Sequence, residues 1–284
     1  MSSSGAAVWD YEKPPRAGDN FQSASFRCLT PDNSQPVKAV LILLPALNTD
    51  GRDAVKKLGT YQKLVANHNL AVMGCFFTGS EDMDYTQARN GSGLALIEAV
   101  RSFSDQSGRR ELFNAHFVLI GLSAGAQLAH SFACDRPERV VAFIADKGVY
   151  FNGRPLGATY DVPAMFHVGG QDTTPSPANS LKAFEAGRAR GALWAYHTSP
   201  NEKHIAALPT AQRAFAAFLD SILTARIKEN PIQPLERLRA FDGVFLDLNS
   251  GATVSGENRA AELNPSLSWL PNTTTANLLI PAKR

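Results

Sequence analysis

The stretch Phe117-Val118-Leu119-Ile120-Gly121-Leu122-Ser123-Ala124-Gly125-Ala126-Gln127-Leu128-Ala129 decides the fold of this chain. It begins with an unbroken apolar run, which is typical of a strand buried on both faces of a parallel sheet. A serine between two glycines follows, and small and apolar residues then recur at helical spacing. The stretch therefore predicts a buried strand, a sharp turn with Ser123 at its apex, and a helix.

The turn has the G-x-S-x-G spacing of a nucleophile elbow. Glycines at 121 and 125 leave room for a strained serine backbone that holds the hydroxyl clear of the chain. The amide of Ala124 and the positive end of the helix dipole would point at the same place, where an oxyanion could bind. The bare motif also arises by chance, but the strand before it and the helix after it are the context that the motif requires. We therefore predict that Ser123 is a nucleophile and that Ala124 supplies an oxyanion-hole donor.

Apolar runs alternate with helical patterns along most of the chain, which predicts a doubly wound, mostly parallel sheet with helices on both faces. Residues 21–28 partly alternate between apolar and polar and are followed by a turn at 31–34, so we expect an antiparallel edge hairpin there. Buried strands are predicted at residues 39–44, 70–77, 139–145, 165–168 and 192–197.

Changes in composition divide the chain into three parts. Residues 1–20 contain several Ser, Pro and Gly residues and predict a loosely ordered N-terminal arm. Residues 21–228 predict the α/β domain. Residues 229–284 predict a C-terminal appendage with a hairpin, which has too little apolar content to fold alone and should pack on the main domain through Trp269.

The composition excludes several classes of protein. A formal charge of +2 over 284 residues, without a run of basic residues, does not favour nucleic acid as a partner. No segment approaches the roughly 18 apolar residues of a membrane span. We expect a soluble protein, either cytoplasmic or secreted with its signal removed, and the compartment and oligomeric state stay open. The Gly-rich residues 91–93 lack the phosphate-loop pattern, and no metal or organic cofactor is expected.

A serine nucleophile needs an imidazole that accepts its proton. His68 and His116 are predicted at strand starts, the wrong edge of the sheet, while His130 lies within a helix and His167 within a strand. His204 follows the last predicted strand in a loop, from which a side chain can reach another strand's turn. We predict that His204 is the base, with His197 as the alternative.

The base needs a carboxylate that holds the correct tautomer. Asp172 follows the predicted strand at 165–168, and Asp146, at the end of the preceding strand, is its rival. Asp172 could also be an ordinary turn residue before Pro175. The chain order Ser123, Asp172, His204 is one of the orders found in known triads, and we therefore predict Asp172 as the acid.

The loop after the strand at 39–44 is the place for a second oxyanion donor. Leu47 N–H is the first candidate and Asn48 N–H the second. Thr49 or Asp50 could cap the following helix without conflict with that role.

These residues resemble the α/β-hydrolase superfamily over about residues 22–225. Residues 121–125 are particularly similar to the elbow of esterase and polyhydroxyalkanoate-depolymerase-like members. Two positions depart from the family pattern: Pro45-Ala46 stands where many members have His-Gly in the oxyanion loop, and Ala126 stands where the depolymerases commonly have Gly.

The resemblance implies a serine hydrolase that cleaves a carboxylic ester, small or polymeric, through an acyl-enzyme. Acyl transfer, thioester or amide cleavage, or lyase chemistry in the same pocket is the alternative, and a non-catalytic binding protein is a further one. The segment between Lys147 and Pro163 is too short for a large lid domain. We expect an open site lined by Tyr150, Phe151 and Tyr160.

Overall fold

The computed structural model describes residues 7–80, 83–205, 207–228 and 233–280. Within them the main sheet has eight strands in the order β1-β2-β4-β3-β5-β6-β7-β8. The pairs β1–β2 and β2–β4 are antiparallel and all the others are parallel. The strands are β1 Ala7–Lys13, β2 Ser23–Thr30, β3 Val40–Leu44, β4 Ala71–Thr78, β5 Phe117–Leu122, β6 Val140–Asp146, β7 Ala164–Gly169 and β8 Trp194–Ser199.

The described part of the N-terminal arm differs from the sequence expectation. Ala7–Lys13 is not loosely ordered but forms β1, the edge strand, which pairs with β2 along its whole length. Tyr11 stacks on Phe26 with a ring-centroid distance of 6.2 Å, so alternate side chains of β1 cover the sheet. The strand predicted at 21–28 does form an antiparallel pair near the edge of the sheet, but its partners are β1 and β4, so the hairpin predicted across the turn at 31–34 was wrong. Residues 1–6 lie outside the described range.

Helices cover both faces of the sheet, as the alternation of patterns predicted. Alternate residues of the buried strands face two separate cores; Ile42 of β3 belongs to one and Leu41 to the other. Apolar residues of α2, α3 and α4 pack into the first core, and those of α1 and α5 pack into the second. These helices are α1 Gln62–Asn67, α2 Ser92–Ser107, α3 Ala124–Asp135, α4 Ser176–Arg188 and α5 Pro209–Arg226.

The C-terminal residues form a small antiparallel sheet in the order β10-β9-β11. It contains β9 Val244–Asp247, β10 Thr253–Ser255 and β11 Leu267–Leu270, with the short helices α6 Arg259–Glu262 and α7 Thr273–Leu279. Trp269 is fully buried and belongs to the same core as α5. The expected hairpin is thus β9–β10, while residues 229–232 and 281–284 of the predicted appendage lie outside the described ranges.

The parallel strands bring the predicted site residues to one edge of the sheet. Because β3 and β5 to β8 run in the same direction, the loops that follow them lie at their common carboxyl edge. These loops carry Leu47, Ser123, Asp172 and His204. Among the described residues, no helix combines the length and apolar content that crossing a bilayer would need.

Candidate active site

Ser123 lies in a strained turn between β5 and α3. Its backbone has φ 55° and ψ −114°, a conformation with positive φ that residues other than glycine rarely adopt. The Ser123 amide donates to the carbonyl of Asp146 over 2.8 Å, and the Ser123 carbonyl accepts from Ala126 over 3.0 Å. The conformation is therefore held from both sides, and the hydroxyl stands at the N-terminus of a twelve-residue helix.

The two glycines of the motif are required by close backbone contacts. A Cβ at position 121 would collide with the carbonyl oxygen of Gly125, and a Cβ at Gly125 would collide with the carbonyl oxygen of Leu44. The first turn of α3 thus packs closely against β5 and against the end of β3. This close approach brings the loop after β3, which carries Leu47, next to the start of α3.

His204 joins Ser123 to Asp172 through two hydrogen bonds. Its Nδ1 lies 2.7 Å from Oδ2 of Asp172, and its Nε2 lies 3.0 Å from Oγ of Ser123. An ionised carboxylate only accepts, so Nδ1 carries the proton and the Nε2 of a neutral ring accepts from the serine hydroxyl. The Asp172 side chain is fully buried, whereas 28 % of the His204 side chain is exposed. The structure thus brings together the three residues that the sequence singled out.

Asp172 is held in its ionised form. Burial raises the pKa of its carboxyl group, but hydrogen bonds from His204 and Thr174 lower it by more, so that the pKa lies below the ordinary value. Thr174 donates its amide to Oδ1 over 2.9 Å, and its hydroxyl lies 3.2 Å from Nδ1 of His204. Thr174 therefore fixes both partners, a role that the sequence analysis did not foresee.

Two backbone amides remain available near Ser123. Ala124 is the first residue of α3, and its N–H has no acceptor within the helix. The N–H of Leu47 makes no hydrogen bond with another described residue, whereas Asn48 donates its N–H to the hydroxyl of Tyr85 over 3.1 Å. Asn48 has a φ of 50°, and this bond helps to hold the loop in that conformation. Of the two candidates in this loop, Leu47 has the amide that is free of such a partner.

The rival acid and the alternative base have other partners. Asp146 accepts from Nδ1 of His167 over 2.7 Å, and Nε2 of His167 lies 2.9 Å from Oγ of Ser199. His197 lies on β8 against His167, with a ring-centroid distance of 5.3 Å, and burial lowers its pKa to about 3. A second Ser-His-Asp chain therefore exists inside the protein, and none of its members contacts Ser123 through its side chain.

The three aromatic residues expected around the site line a separate groove. Tyr150, Phe151 and Tyr160 face a cavity of about 590 Å³ beside α4. Its lining includes none of Ser123, Asp172 and His204. The expectation that these rings line the space around the serine was therefore wrong. The loop that carries the first two rings is tied to α4 instead, since Asn179 donates its side-chain amide to the carbonyl of Val149 over 2.7 Å.

No protein-family model matches the chain, and no curated protein matches it by sequence. Solved structures match it at low identity. A fluorophosphonate-binding serine hydrolase of Staphylococcus aureus, FphF, is 12 % identical, with a TM-score of 0.53 over 77 % of this chain and 98 % of its own. A ferulic acid esterase is 12 % identical, with a TM-score of 0.56 over the same shares. Esterase PE8 is 18 % identical, with a TM-score of 0.50 over 66 % of this chain and 94 % of its own. Together with the strand order, these likenesses show that the chain has the α/β-hydrolase fold.

Proposed function

We propose that this protein is a serine hydrolase that cleaves a carboxylic ester through an acyl-enzyme. The observation that supports it most is the continuous pair of hydrogen bonds from Ser123 through His204 to Asp172, of 3.0 and 2.7 Å. Both distances lie within the reach that a proton transfer needs. The names of the structural neighbours, two esterases and a serine hydrolase, agree with this chemistry.

In the acylation half, Oγ of Ser123 attacks the ester carbonyl while Nε2 of His204 takes the hydroxyl proton. The carbonyl double bond opens to a tetrahedral oxyanion. When this collapses, the ester C–O bond breaks, His204 gives its proton to the leaving alkoxide, and an alcohol departs. Asp172 stays ionised throughout, holds the ring in the required tautomer and stabilises the imidazolium.

The amides of Leu47 and Ala124 bind the oxyanion in this proposal. Each well-aligned donor stabilises the transition state by about 3 kcal/mol. The N-terminus of α3 adds the positive end of its dipole at the same point. Because both donors are backbone groups, their effect depends on the conformation of the loops and not on side-chain identity.

In the deacylation half, a water gives a proton to Nε2 of His204 and attacks the acyl carbon. When the tetrahedral intermediate collapses, the Ser123–acyl bond breaks, His204 returns the proton to Oγ of Ser123, and a carboxylic acid departs. More than a quarter of the His204 side chain is exposed, so water can reach it. This exposure favours hydrolysis over transfer to a second alcohol, which would need water to be excluded.

The acyl-enzyme offers a direct experiment. We expect p-nitrophenyl acetate to release p-nitrophenol and to leave one acetyl group on Ser123 when the reaction is quenched with acid, as peptide mass spectrometry would detect. An acetyl group on a different residue, or turnover retained in full by Ser123→Ala, would rule out the proposed mechanism. A panel of acyl chain lengths would then define the substrate class.

A further inference from the structure

A buried ion pair connects the loops that carry the three candidate catalytic side chains. The ammonium of Lys147 lies 2.8 Å from Oε2 of Glu202 and 3.0 Å from Oδ1 of Asp146. The side chain of Lys147 has no exposed surface and that of Glu202 only 2 %. Neither residue contacts Ser123, Asp172 or His204 through its side chain, and neither has a role in the chemistry proposed above.

Glu202 uses every polar group that it has. Its amide donates to the carbonyl of Ser199 over 3.1 Å, and its carbonyl accepts from Gln171 over 2.8 Å. Its second carboxylate oxygen, Oε1, accepts the amide of Leu208 over 3.1 Å. His204 follows Glu202 by two residues, and Gln171 directly precedes Asp172. The backbone of Glu202 therefore contacts the loop of the proposed acid and one end of the loop with the proposed base, and its side chain fixes the other end at Leu208.

On the other side of the ion pair, the backbone around Lys147 contacts the turn that carries Ser123. It has a φ of 54°, and its amide donates to the carbonyl of His167 over 2.8 Å. The residue before it, Asp146, accepts the amide of Ser123 at its carbonyl over 2.8 Å. The ion pair is thus one residue away from the hydrogen bond that holds the strained serine.

Stability alone does not account for such a pair. Removing two charges from water costs several kcal/mol per ion, and apolar side chains of the same volume often stabilise a fold as well or better. What an ion pair with saturated hydrogen bonds adds is a single geometry, because any displacement leaves a buried charge without its partner. That is the property required at a point where three loops meet.

We propose that Glu202 and Lys147 act as a positioning pair that holds Nε2 of His204 within hydrogen-bond reach of Ser123. The inference rests on the proposed function for its kinetic consequence. The position of the imidazole, in contrast, can be measured whether or not the protein turns over an ester.

The test is Glu202→Gln, which keeps the size of the side chain and an oxygen that can accept from Leu208, but places an uncharged amide against the Lys147 ammonium. We expect crystal structures to show the His204 ring displaced beyond hydrogen-bond distance of Ser123. We expect kcat to fall roughly 10- to 100-fold, as for a misplacement of about 1 Å, while KM stays unchanged. Lys147→Met should act in the same direction. The fall in kcat of the double variant should be no larger than that of the more impaired single variant, because the two residues act as one unit.

Glu111→Gln is the matched control. Glu111 also accepts a backbone amide, that of Val37 over 3.0 Å, and faces a cation, Arg109, at 3.5 Å. It lies just before β5, at the amino edge of the sheet. The same chemical change there should leave kcat and the His204 ring as in the wild type.

Two outcomes would overturn the positioning role: a folded Glu202→Gln protein that keeps both kcat and the ring position, or a loss of kcat with the ring unmoved. A displaced ring in a protein whose wild type hydrolyses no ester would support the positioning role and contradict the proposed function. The two claims can therefore fail separately.

Discussion

Two Ser-His-Asp chains lie in the described part of this molecule, and their hydrogen-bond lengths are nearly the same. Ser123, His204 and Asp172 are joined by bonds of 3.0 and 2.7 Å. The second chain, Ser199, His167 and Asp146, has bonds of 2.9 and 2.7 Å. Distances between the three side chains therefore do not distinguish a reactive serine from a structural one.

The surroundings of the two serines differ in three ways. Ser123 has a strained backbone at the start of a helix, whereas Ser199 ends a strand and the next helix begins only at Pro209. His204 is partly exposed, whereas His167 has no exposed surface, so a substrate cannot reach it.

The third difference concerns the acids. Asp146 also contacts the ammonium of Lys147 over 3.0 Å, a cation that it shares with Glu202. Among the described residues, the only ion-pair partner of Asp172 is His204. The first chain therefore differs from the second in its exposed histidine, in the helix that begins next to its serine and in an acid that contacts no lysine or arginine among the described residues.

The largest expected difference in kcat comes from replacing each of the two serines by alanine. Ser123→Ala should lower kcat for a p-nitrophenyl ester by at least about 10⁴-fold, since the nucleophile is lost. Ser199→Ala removes only a hydrogen-bond partner of His167, and most of the turnover should remain. Initial rates of both purified variants, with circular dichroism to verify folding, test this contrast. Equal losses in the two folded variants would contradict the assignment.

Exchanging each acid should separate catalysis from stability. Asp172→Asn should lower kcat by about 10³- to 10⁴-fold, because an amide can stabilise the wrong tautomer of His204. Asp146→Asn should lower the free energy of unfolding by about 1 to 3 kcal/mol, because it weakens buried hydrogen bonds, with a smaller loss of kcat. Kinetics and urea denaturation of both variants measure the two effects. The reverse ranking would mean that Asp146 serves the reaction.

A smaller effect is expected at the loop that carries Leu47, the proposed second oxyanion donor. Tyr85→Phe removes the hydroxyl that accepts the amide of Asn48, next to the proposed donor Leu47. We expect kcat to fall about 2- to 10-fold with KM retained, because a loosened donor gives up only part of its roughly 3 kcal/mol. Steady-state kinetics at one pH measures it. An increase in KM alone would place Tyr85 in substrate binding.

The smallest effect is on stability as the pH falls. The pKa of Asp172 is depressed in the folded protein, so its contribution to stability is present above its unfolded pKa of about 3.9 and is lost as the pH falls through the folded value. The difference in Tm between the wild type and Asp172→Asn should therefore shrink on going from pH 6 to pH 3, as calorimetry would show. A difference that grows on acidification would contradict the sign of this shift.

The fold could be predicted from sequence wherever one segment carries the whole signal. The buried strands β3 to β8 and their helices were found because unbroken apolar runs reveal them. The edge strand β1 was missed because its alternation is spread among polar residues and it forms by pairing with β2 along its whole length. A strand of this kind depends on pairing with residues that lie 11 to 23 positions further along the chain.

Some residues of the candidate site could likewise be predicted from sequence, and others could not. Ser123 carries a local motif, and the positions of His204 and Asp172 follow from the topology of the sheet. Their catalytic roles stay predictions. The pair of Lys147 and Glu202 could not be foreseen, because 55 positions separate the two residues and such side chains are ordinarily solvated. Thr174 and Tyr85 likewise act through contacts that depend on loop conformation.

The central claim is that only one of the two serine chains is reactive, and a fluorophosphonate probe tests it most directly. The native protein would be labelled, digested and analysed by peptide mass spectrometry. We expect a single modified site at Ser123, abolished in Ser123→Ala and retained in Ser199→Ala. Modification of Ser199, or a folded protein in which Ser123 stays unmodified, would contradict the account.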